Sequence, residues 1–506
     1  MTNSLVNLMH GFGHALTPEA LLFCLIGVTI GTLVGVLPGI GALAAISLSL
    51  PLTYYVDPLL ALIMLSGIFY GTQYGGSITA ILLNLPGEPS TAITCLDAHP
   101  MAKKGRAGAA LFITAGASFV GGTLALVLLV CFTPFLASIA LRFSSADYFA
   151  LILFCLIGAS MLGLGSPVKG FSMVAVGLLL GMIGTDVTTG QARFTLGVPS
   201  LIDGVDLVAM MMGLFGVSEI ISTYLHEDGA SKPERVTLRS LIPTRQEVRE
   251  ATMPTLRGSV LGSVIGLLPG MGATLGTFIA YSIEKRISRD PSKFGTGAIE
   301  GIASPEACNN ATVQASFIPM LGIGIPSGAV MAVLMGAMMI HGIQPGPLMM
   351  VQHADIFWGV VASMWVGNVM LLVLNIPLIG IWVRLLSVPS HILSPIVLLV
   401  MCIGVYSVNN NVFDIYTMMI FGILGYICSS FGYSPALLIL GVILSPILEE
   451  HFRRALLISD GDYFVFLQEP ISGTFIVLGL MIVALSLRGG ASALILKRRN
   501  ARIIDE

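Results

Sequence analysis

Two stretches decide how the 506-residue chain folds: Gly31-Thr32-Leu33-Val34-Gly35-Val36-Leu37-Pro38-Gly39-Ile40-Gly41-Ala42 and, 231 positions later, Gly262-Ser263-Val264-Ile265-Gly266-Leu267-Leu268-Pro269-Gly270-Met271-Gly272-Ala273. Both read Gly-x-x-x-Gly-x-Leu-Pro-Gly-x-Gly-Ala in the middle of a long apolar run. Proline has no N–H and glycine admits backbone angles that a helix cannot hold, so each run reads as two half-helices around an unwound tip. In hydrocarbon, unwound backbone is tolerated only where protein or water satisfies it. Paired interruptions at matching places in two halves of a membrane protein therefore point to a transport site.

Composition agrees: 55% of residues are hydrophobic and only 10% charged, against about 25% charged in a soluble domain. This is the signature of an all-α polytopic membrane protein. Its seven cysteines form no CxxC, its eight histidines no metal-ligand spacing, and no Walker A sequence is present. The pattern speaks against a structural metal, a cofactor and direct ATP hydrolysis. Residues 1–17 contain no Lys or Arg, so no charged leader region is visible. Leu5, Leu8, Phe12 and Leu16 recur at helical spacing and suit an interfacial segment.

From Leu256 to Leu268 the second run offers 13 residues, roughly 20 Å of helix, too short for a hydrocarbon core of about 30 Å. Basic residues flank it on both sides (Arg245, Arg249, Arg257; Lys285, Arg286, Arg289, Lys293), and basic loops stay cytoplasmic. It therefore reads as a re-entrant hairpin entered from the cytoplasm. The first run lacks flanking basic residues and suits the opposite face. The expected organisation is an interfacial segment (1–17), a first membrane repeat (18–225), a cytoplasmic connector (226–254), a second repeat (255–487) and a cytoplasmic basic tail (488–506). The repeats come out inverted, with about 10–12 spans in all. Residues 434–449 make a short span, and 327–353 are left unassigned.

Polar residues inside apolar runs are costly and are functional candidates. They gather just after each interrupted run. Candidate substrate-binding residues are Gln73, Tyr74, Ser77, Asn84 and Ser90 in the first copy, and Ser304, Asn309, Asn310, Thr312 and Ser327 in the second. Pro89-Ser90 and Pro326-Ser327 look like matching positions. Almost no Lys or Arg is present in these stretches, so an anion would rely on hydroxyls, amides and half-helix N-termini. The tips, Pro38, Gly39, Gly41, Pro269, Gly270 and Gly272, are candidates for ion binding through freed carbonyls. Glu88 and Glu306 are candidate ion or proton carboxylates, with a capping role near an interface as the alternative. Helix-to-helix hydrogen bonding is the alternative for the other polar residues.

Tyr70-Gly71-Thr72-Gln73-Tyr74-Gly75-Gly76-Ser77, Asn84-Leu85-Pro86-Gly87-Glu88-Pro89-Ser90, Pro305-Glu306-Ala307-Cys308-Asn309-Asn310-Ala311 and Gly322-Ile323-Gly324-Ile325-Pro326-Ser327-Gly328 join the two tip motifs in a longer likeness. Over nearly its whole length the chain resembles the large membrane subunit (TctA-type) of tripartite tricarboxylate transporters. The resemblance implies a permease of the bacterial inner membrane, multi-pass, that takes up citrate-like carboxylates by secondary active transport coupled to an ion, sodium by expectation. It further implies a small membrane subunit (TctB-type) and a periplasmic solute-binding protein (TctC-type) as partners, and alternating access, elevator-like by analogy. An anion channel, or a carrier for another small organic acid, is the alternative.

Overall fold

The interrupted runs do break into helix pairs. Thr17 caps α2 (Pro18–Val36), its hydroxyl accepting from the Ala20 amide, after a short N-terminal α1 (Thr2–Ala15). Beyond the first tip, α3 (Gly41–Thr53) starts on Gly41 at φ +68, a left-handed angle that glycine adopts freely. Asp57 caps α4 (Pro58–Leu83), which Asn84 closes at φ 58. A short turn of helix at Pro89–Thr91 leads to α5 (Cys95–Met101) and the long α6 (Ala107–Ala140), with a kink at Gly105 between them. Then come α7 (Ser145–Leu162), α8 (Pro167–Gly181) and a small antiparallel ribbon pairing β1 (Gly184–Thr185) with β2 (Ala192–Arg193). A π-helical stretch joins α9 (Leu207–Met211) to α10 (Ser218–Leu225).

The second pair is α11 (Arg245–Gly266) and α12 (Gly272–Ile287), followed by α13 (Glu300–Ala315), α14 (Phe317–Ile323) and α15 (Ala329–Ile340). The chain continues through α16 (Met349–Gln352), α17 (Ala354–Asn375), α18 (Ile379–Leu385), α19 (Ser390–Asn409), α20 (Val412–Ser430), α21 (Pro435–Ile458), α22 (Val465–Gln468) and α23 (Pro470–Ala484). This computed structural model describes residues 2–37, 41–162, 166–186, 189–225, 241–268, 272–385 and 390–484. Pro38, Gly39, Pro269 and Gly270, much of the connector and the basic tail lie outside the described residues.

Glycine spacing explains how each pair folds back. Gly27, Gly31 and Gly35 of α2 lie against the carbonyls of Met64, Ile68 and Thr72 of α4. Gly258, Gly262 and Gly266 of α11 lie against those of Ser304, Cys308 and Thr312 of α13. A Cβ at any of the six would overlap a carbonyl, which is the close backbone approach that small residues permit in lipid. In both sets the contacts advance together by four residues, so α2 runs parallel to α4 and α11 parallel to α13. The helix between must therefore retrace its path: α2–α3 and α11–α12 are hairpins. An ion pair between Arg257 and Glu284 closes the base of the second.

The register extends past the hairpins. Residues of α4 match residues of α13 and α14 that lie 240 positions later. Asn84 and Gly324 both end a helix in the left-handed region, at φ 58 and φ 86. The Gly87 amide bonds the Gly76 carbonyl, and the Ser327 hydroxyl bonds the Ser316 carbonyl. Glu88 and Gly328 each stand at the N-cap of the next helix. Pro326 thus answers Pro86; the match read from sequence to Pro89-Ser90 is off by three residues.

Among the described residues, five helices are long and apolar enough to cross a membrane, and seven shorter apolar helices accompany them. The span expected at 434–449 is longer, since α21 runs on to Ile458 with Pro446 inside it. The unassigned 327–353 contains α15 and α16. The helices fall into two compact units, one of residues 1–141 and 206–427, the other of 142–205 and 428 onward. Each draws on both sequence halves, and the first holds both hairpins. In the second unit, Asp186, Arg193, Glu449 and Arg453 form an ion-pair network beside a cavity of about 570 Å³.

Candidate functional site

Two helices lie at the centre of the first unit. Every residue of α4 from Ala61 to Leu82 is buried, as is every residue of α13 from Gly301 to Ala315. A helix enclosed all round can carry polar side chains only where they find partners. Counting along the in-register packing places Leu37, at the first tip, level with Tyr74, and Leu268, at the second, level with Gln314. Gln73, Tyr74, Ser77, Thr312 and Gln314 thus lie near the tip levels, whereas Ser304 lies opposite Gly258 towards the base of the second hairpin.

Glu306 is where the two copies meet. Its Oε1 accepts from the Ser77 hydroxyl at 2.5 Å and from Ser118 of α6 at 3.4 Å, and its Oε2 accepts from Thr94 at 3.1 Å. Asn310 donates to Ser118 at 2.7 Å and to the Glu306 carbonyl at 3.2 Å. Glu306 is 1% exposed, and no Lys, Arg or His among the described residues is ion-paired with it. Burying a carboxylate without a counter-charge is expensive, so hydroxyl donors alone leave the cluster suited to a bound cation or proton.

Glu88 does different work. Its Oε1 accepts from the Ala42 amide at 2.6 Å, at the N-terminus of α3, where the helix dipole favours negative charge. Around it, Ser90 donates to Gln73 Oε1 and Gln73 donates to Thr72. In the second copy Gly328 stands in the place of Glu88. Among the described residues no side chain corresponds there to the carboxylate that caps α3, and a Cβ added at Gly272 would meet none of their atoms within 4 Å.

The structure brings together Ser77, Glu306 and Asn310, and separately Gln73, Ser90 and Glu88. The Asn309 amide sits beside the Glu306 carboxylate, and Gln314 Oε1 has no hydrogen-bond partner among the described residues. Tyr74 is bonded to Asn368 of α17, and Thr312 to the Gly262 carbonyl, both helix-to-helix contacts. Ser304 turns its carbonyl to Gly258, and Asn84 serves as a left-handed helix end. Ser327 ties back to Ser316. Gly41 and Gly272 take φ +68 and +59 beside tips that lie outside the described residues.

Sequence reasoning missed Thr94, Ser118 and Asp97. Serine and threonine in apolar helices usually bond their own backbone, so nothing distinguished the first two. Asp97 lies in a polar stretch that runs on to Lys103, Lys104 and Arg106, where a single carboxylate does not stand out. It is fully buried and accepts from the amides of Gly295, Gly297 and Ala298 and from the Tyr281 hydroxyl.

Helical hairpins repeated in register, with a buried polar junction between the copies, define a multi-pass membrane transport protein. The sequence profile of the tripartite tricarboxylate transporter TctA family matches residues 21–440, and the chain belongs to that family. It is 47% identical over 487 residues to an Agrobacterium vitis protein described as an uncharacterized 52.8 kDa protein in the TAR-I ttuC' 3' region, covering 96% of this chain and 97% of that one. A second A. vitis protein, described as uncharacterized in the TAR-II ttuC' 3' region, is 50% identical over 226 residues, 45% of this chain and 93% of its own. The family is that of the large subunit of a transporter built from several subunits.

Proposed function

We propose that this subunit carries a tricarboxylate or related carboxylate across the bacterial inner membrane by ion-coupled secondary transport, sodium being the expected ion. It receives substrate from a periplasmic solute-binding protein (TctC-type) and works beside a small membrane subunit (TctB-type). The two hairpins enter from opposite faces, the C-terminus lies in the cytoplasm, and the hairpin-bearing helices slide against the remaining ones in an elevator-like cycle.

The observation that carries this reading is the Ser77–Glu306 junction. A carboxylate of the second copy, bonded by hydroxyls of the first and lacking a fixed counter-charge, gives a cation a reason to bind where the copies meet. The substrate anion belongs near the second tip, at the start of α12, with Asn309, Thr312, Gln314 and Ser327 nearby in sequence or register and Ser304 below them. Glu306 lies eight residues along α13 from the level of the second tip, about 12 Å. Across a low-dielectric interior a cation there and a substrate carboxylate stabilise each other, which is the physical content of coupling. Freed carbonyls at the tips (Pro38, Gly39, Gly41, Pro269, Gly270, Gly272) supply further ion ligands, and Asn84 ends α4 so that the chain turns back to place Glu88.

The test is uptake by the reconstituted three-subunit complex across a carboxylate panel, with and without a sodium gradient. Gradient-dependent uptake of a di- or tricarboxylate is expected; gradient-independent flux overturns coupling. Counterflow of labelled substrate separates a carrier from a channel, since a channel shows none.

A further inference from the structure

Asp97 gathers four donors. Its Oδ1 accepts from Gly295 N, Gly297 N and Ala298 N at 2.8 Å each, and its Oδ2 from Tyr281 Oη at 2.9 Å. The three amides converge because Gly295 and Gly297 sit at φ +87 and +112, forming a concave nest of N–H groups. Ile93, Tyr281, Phe294 and Ala298 pack around it as a small apolar cluster. Tyr281 lies on α12, the returning arm of the second hairpin, and the nest leads into α13, which carries Glu306.

The same short segment reaches three other places. Glu88 caps α3 in the first hairpin, Ser90 bonds Gln73 of α4, and Thr94, one turn before Asp97, bonds Glu306. Residues 88–97 thus touch the start of the first hairpin's returning arm, the junction carboxylate and the flank of the second hairpin's returning arm. The matching positions of the second copy hold no such groups: Leu334 stands for Thr94 and Ala337 for Asp97, inside α15. At these positions the polar connection runs from the first copy to the second, whereas α15 packs against α3 and α4 through apolar residues.

We propose that Asp97 is a positioning residue for ion coupling. By holding α12 and the entry to α13 against the segment that carries Thr94, it makes the setting of the second hairpin depend on whether Glu306 is occupied. This rests on the transport reading above.

Two measurements on the full complex test it, both comparing sodium with choline at equal ionic strength. Asp97→Asn keeps the shape but weakens the hold, because charge-assisted hydrogen bonds are about twice as strong as neutral ones. The half-saturating sodium concentration for uptake is expected to rise about tenfold, while substrate KM at saturating sodium stays within about twofold. Tyr281→Phe removes one donor of the four and shifts the sodium constant the same way, by less. The second measurement is amide exchange in 288–300, expected to slow with sodium in the wild type and to lose that response in Asp97→Asn. Wild-type sodium dependence in both variants, or a fall in maximal rate with both constants unchanged, overturns the proposal. If Asp97→Asn fails to reach the membrane, Tyr281→Phe decides alone. Sodium-insensitive exchange in the wild type overturns the proposal even where uptake is sodium-coupled. Sodium-sensitive exchange that Asp97→Asn abolishes, without coupled uptake, keeps the link between Glu306 and the second hairpin, and it is then the transport reading that fails.

Discussion

Arg257 and Glu284 face each other across the second hairpin, Nη2 to Oε2 at 2.6 Å and Nε to Oε1 at 2.8 Å, although 27 residues separate them. The Glu284 side chain is 2% exposed and that of Arg257 is 44% exposed, so the pair is asymmetric. Arg257→Ala strands a buried carboxylate and is expected to lower stability by about 1–3 kcal/mol. Glu284→Gln leaves the guanidinium free to reach water and costs less. Thermal unfolding in detergent checks the order, and the reverse order means that the buried member is misassigned. Because the pair closes the hairpin base, cysteines at Arg257 and Lys285 should react with impermeant reagent from one face only.

The glycine rows make a second prediction, with its control inside the same chain. Gly31→Val and Gly262→Val push methyl groups into the Ile68 and Cys308 carbonyls. Overpacking of this kind typically costs about 1–3 kcal/mol or more, so both variants should accumulate poorly in the membrane. Nothing lies within 4 Å of a Cβ at Gly13 or Gly116, and Gly13→Ala and Gly116→Ala should reach wild-type levels. Membrane abundance by immunoblot is sufficient. Normal abundance of Gly262→Val removes the close helix contact.

How much of this was legible from sequence follows from what each feature depends on. The hairpins were legible because Pro-Gly-x-Gly and four-residue glycine spacing are backbone properties written locally. The crowding of polar residues onto α4 and α13 was legible because a polar side chain stands out in an apolar run. The partner of each was not. Ser77 and Glu306 lie 229 residues apart and meet only through the fold. Nothing local distinguishes Tyr74, bonded to Asn368, from Gln73, bonded to Ser90. The offset of Pro86 and Pro326 escaped because the hairpin copies are 231 apart and the central helices 240, a difference absorbed in the loop before α13.

At the junction, Glu306→Gln keeps the shape and removes the charge. Uptake is expected to fall at least tenfold, about 1.4 kcal/mol or more in the coupling equilibrium, with membrane abundance unchanged. Ser118→Ala and Asn310→Ala should raise the half-saturating cation concentration by severalfold each. Since Asn310 reaches Glu306 Oε1 through Ser118, their double variant should fall short of the product of the singles. Independent, fully multiplicative effects would dissolve the cluster as a unit.

At the start of α11, Glu247 closes a capping box with Thr244 and also bonds Arg106 at 2.5 and 2.6 Å. Burial pushes its carboxyl up, but the Thr244 amide and hydroxyl and the Arg106 guanidinium outweigh that and hold it below its ordinary value of 4.5. A depressed carboxyl stabilises the fold above its ordinary value, and the contribution disappears as pH falls through the lower folded value. Amide exchange at 244–250 should therefore quicken as pH is lowered below about 4.5 in the wild type, after correction for intrinsic rate. Glu247→Gln should show fast exchange throughout. A pH-independent difference between the two would assign the cap to neutral hydrogen bonding.

The contrast between Glu88 and Gly328 allows the substrate site to be occupied from within. Glu88 shows what a carboxylate does at the start of α3: it takes the Ala42 amide at 2.6 Å. By register, Gly328 and Ala273 correspond to Glu88 and Ala42; Gly328 has φ −170, an extended angle open to any residue, and a Cβ there meets nothing within 4 Å. Gly328→Glu should therefore fold, reach the membrane and set its carboxylate at the amides that begin α12. If substrate uses those amides, the new side chain competes with it. Substrate KM should then rise about tenfold or more, equivalent to about 1.4 kcal/mol of lost binding. Gly328→Gln, of the same size without the charge, should raise it much less. Equal effects of the two would mean crowding and not competition, and wild-type KM in both would move the anion away from the second tip altogether.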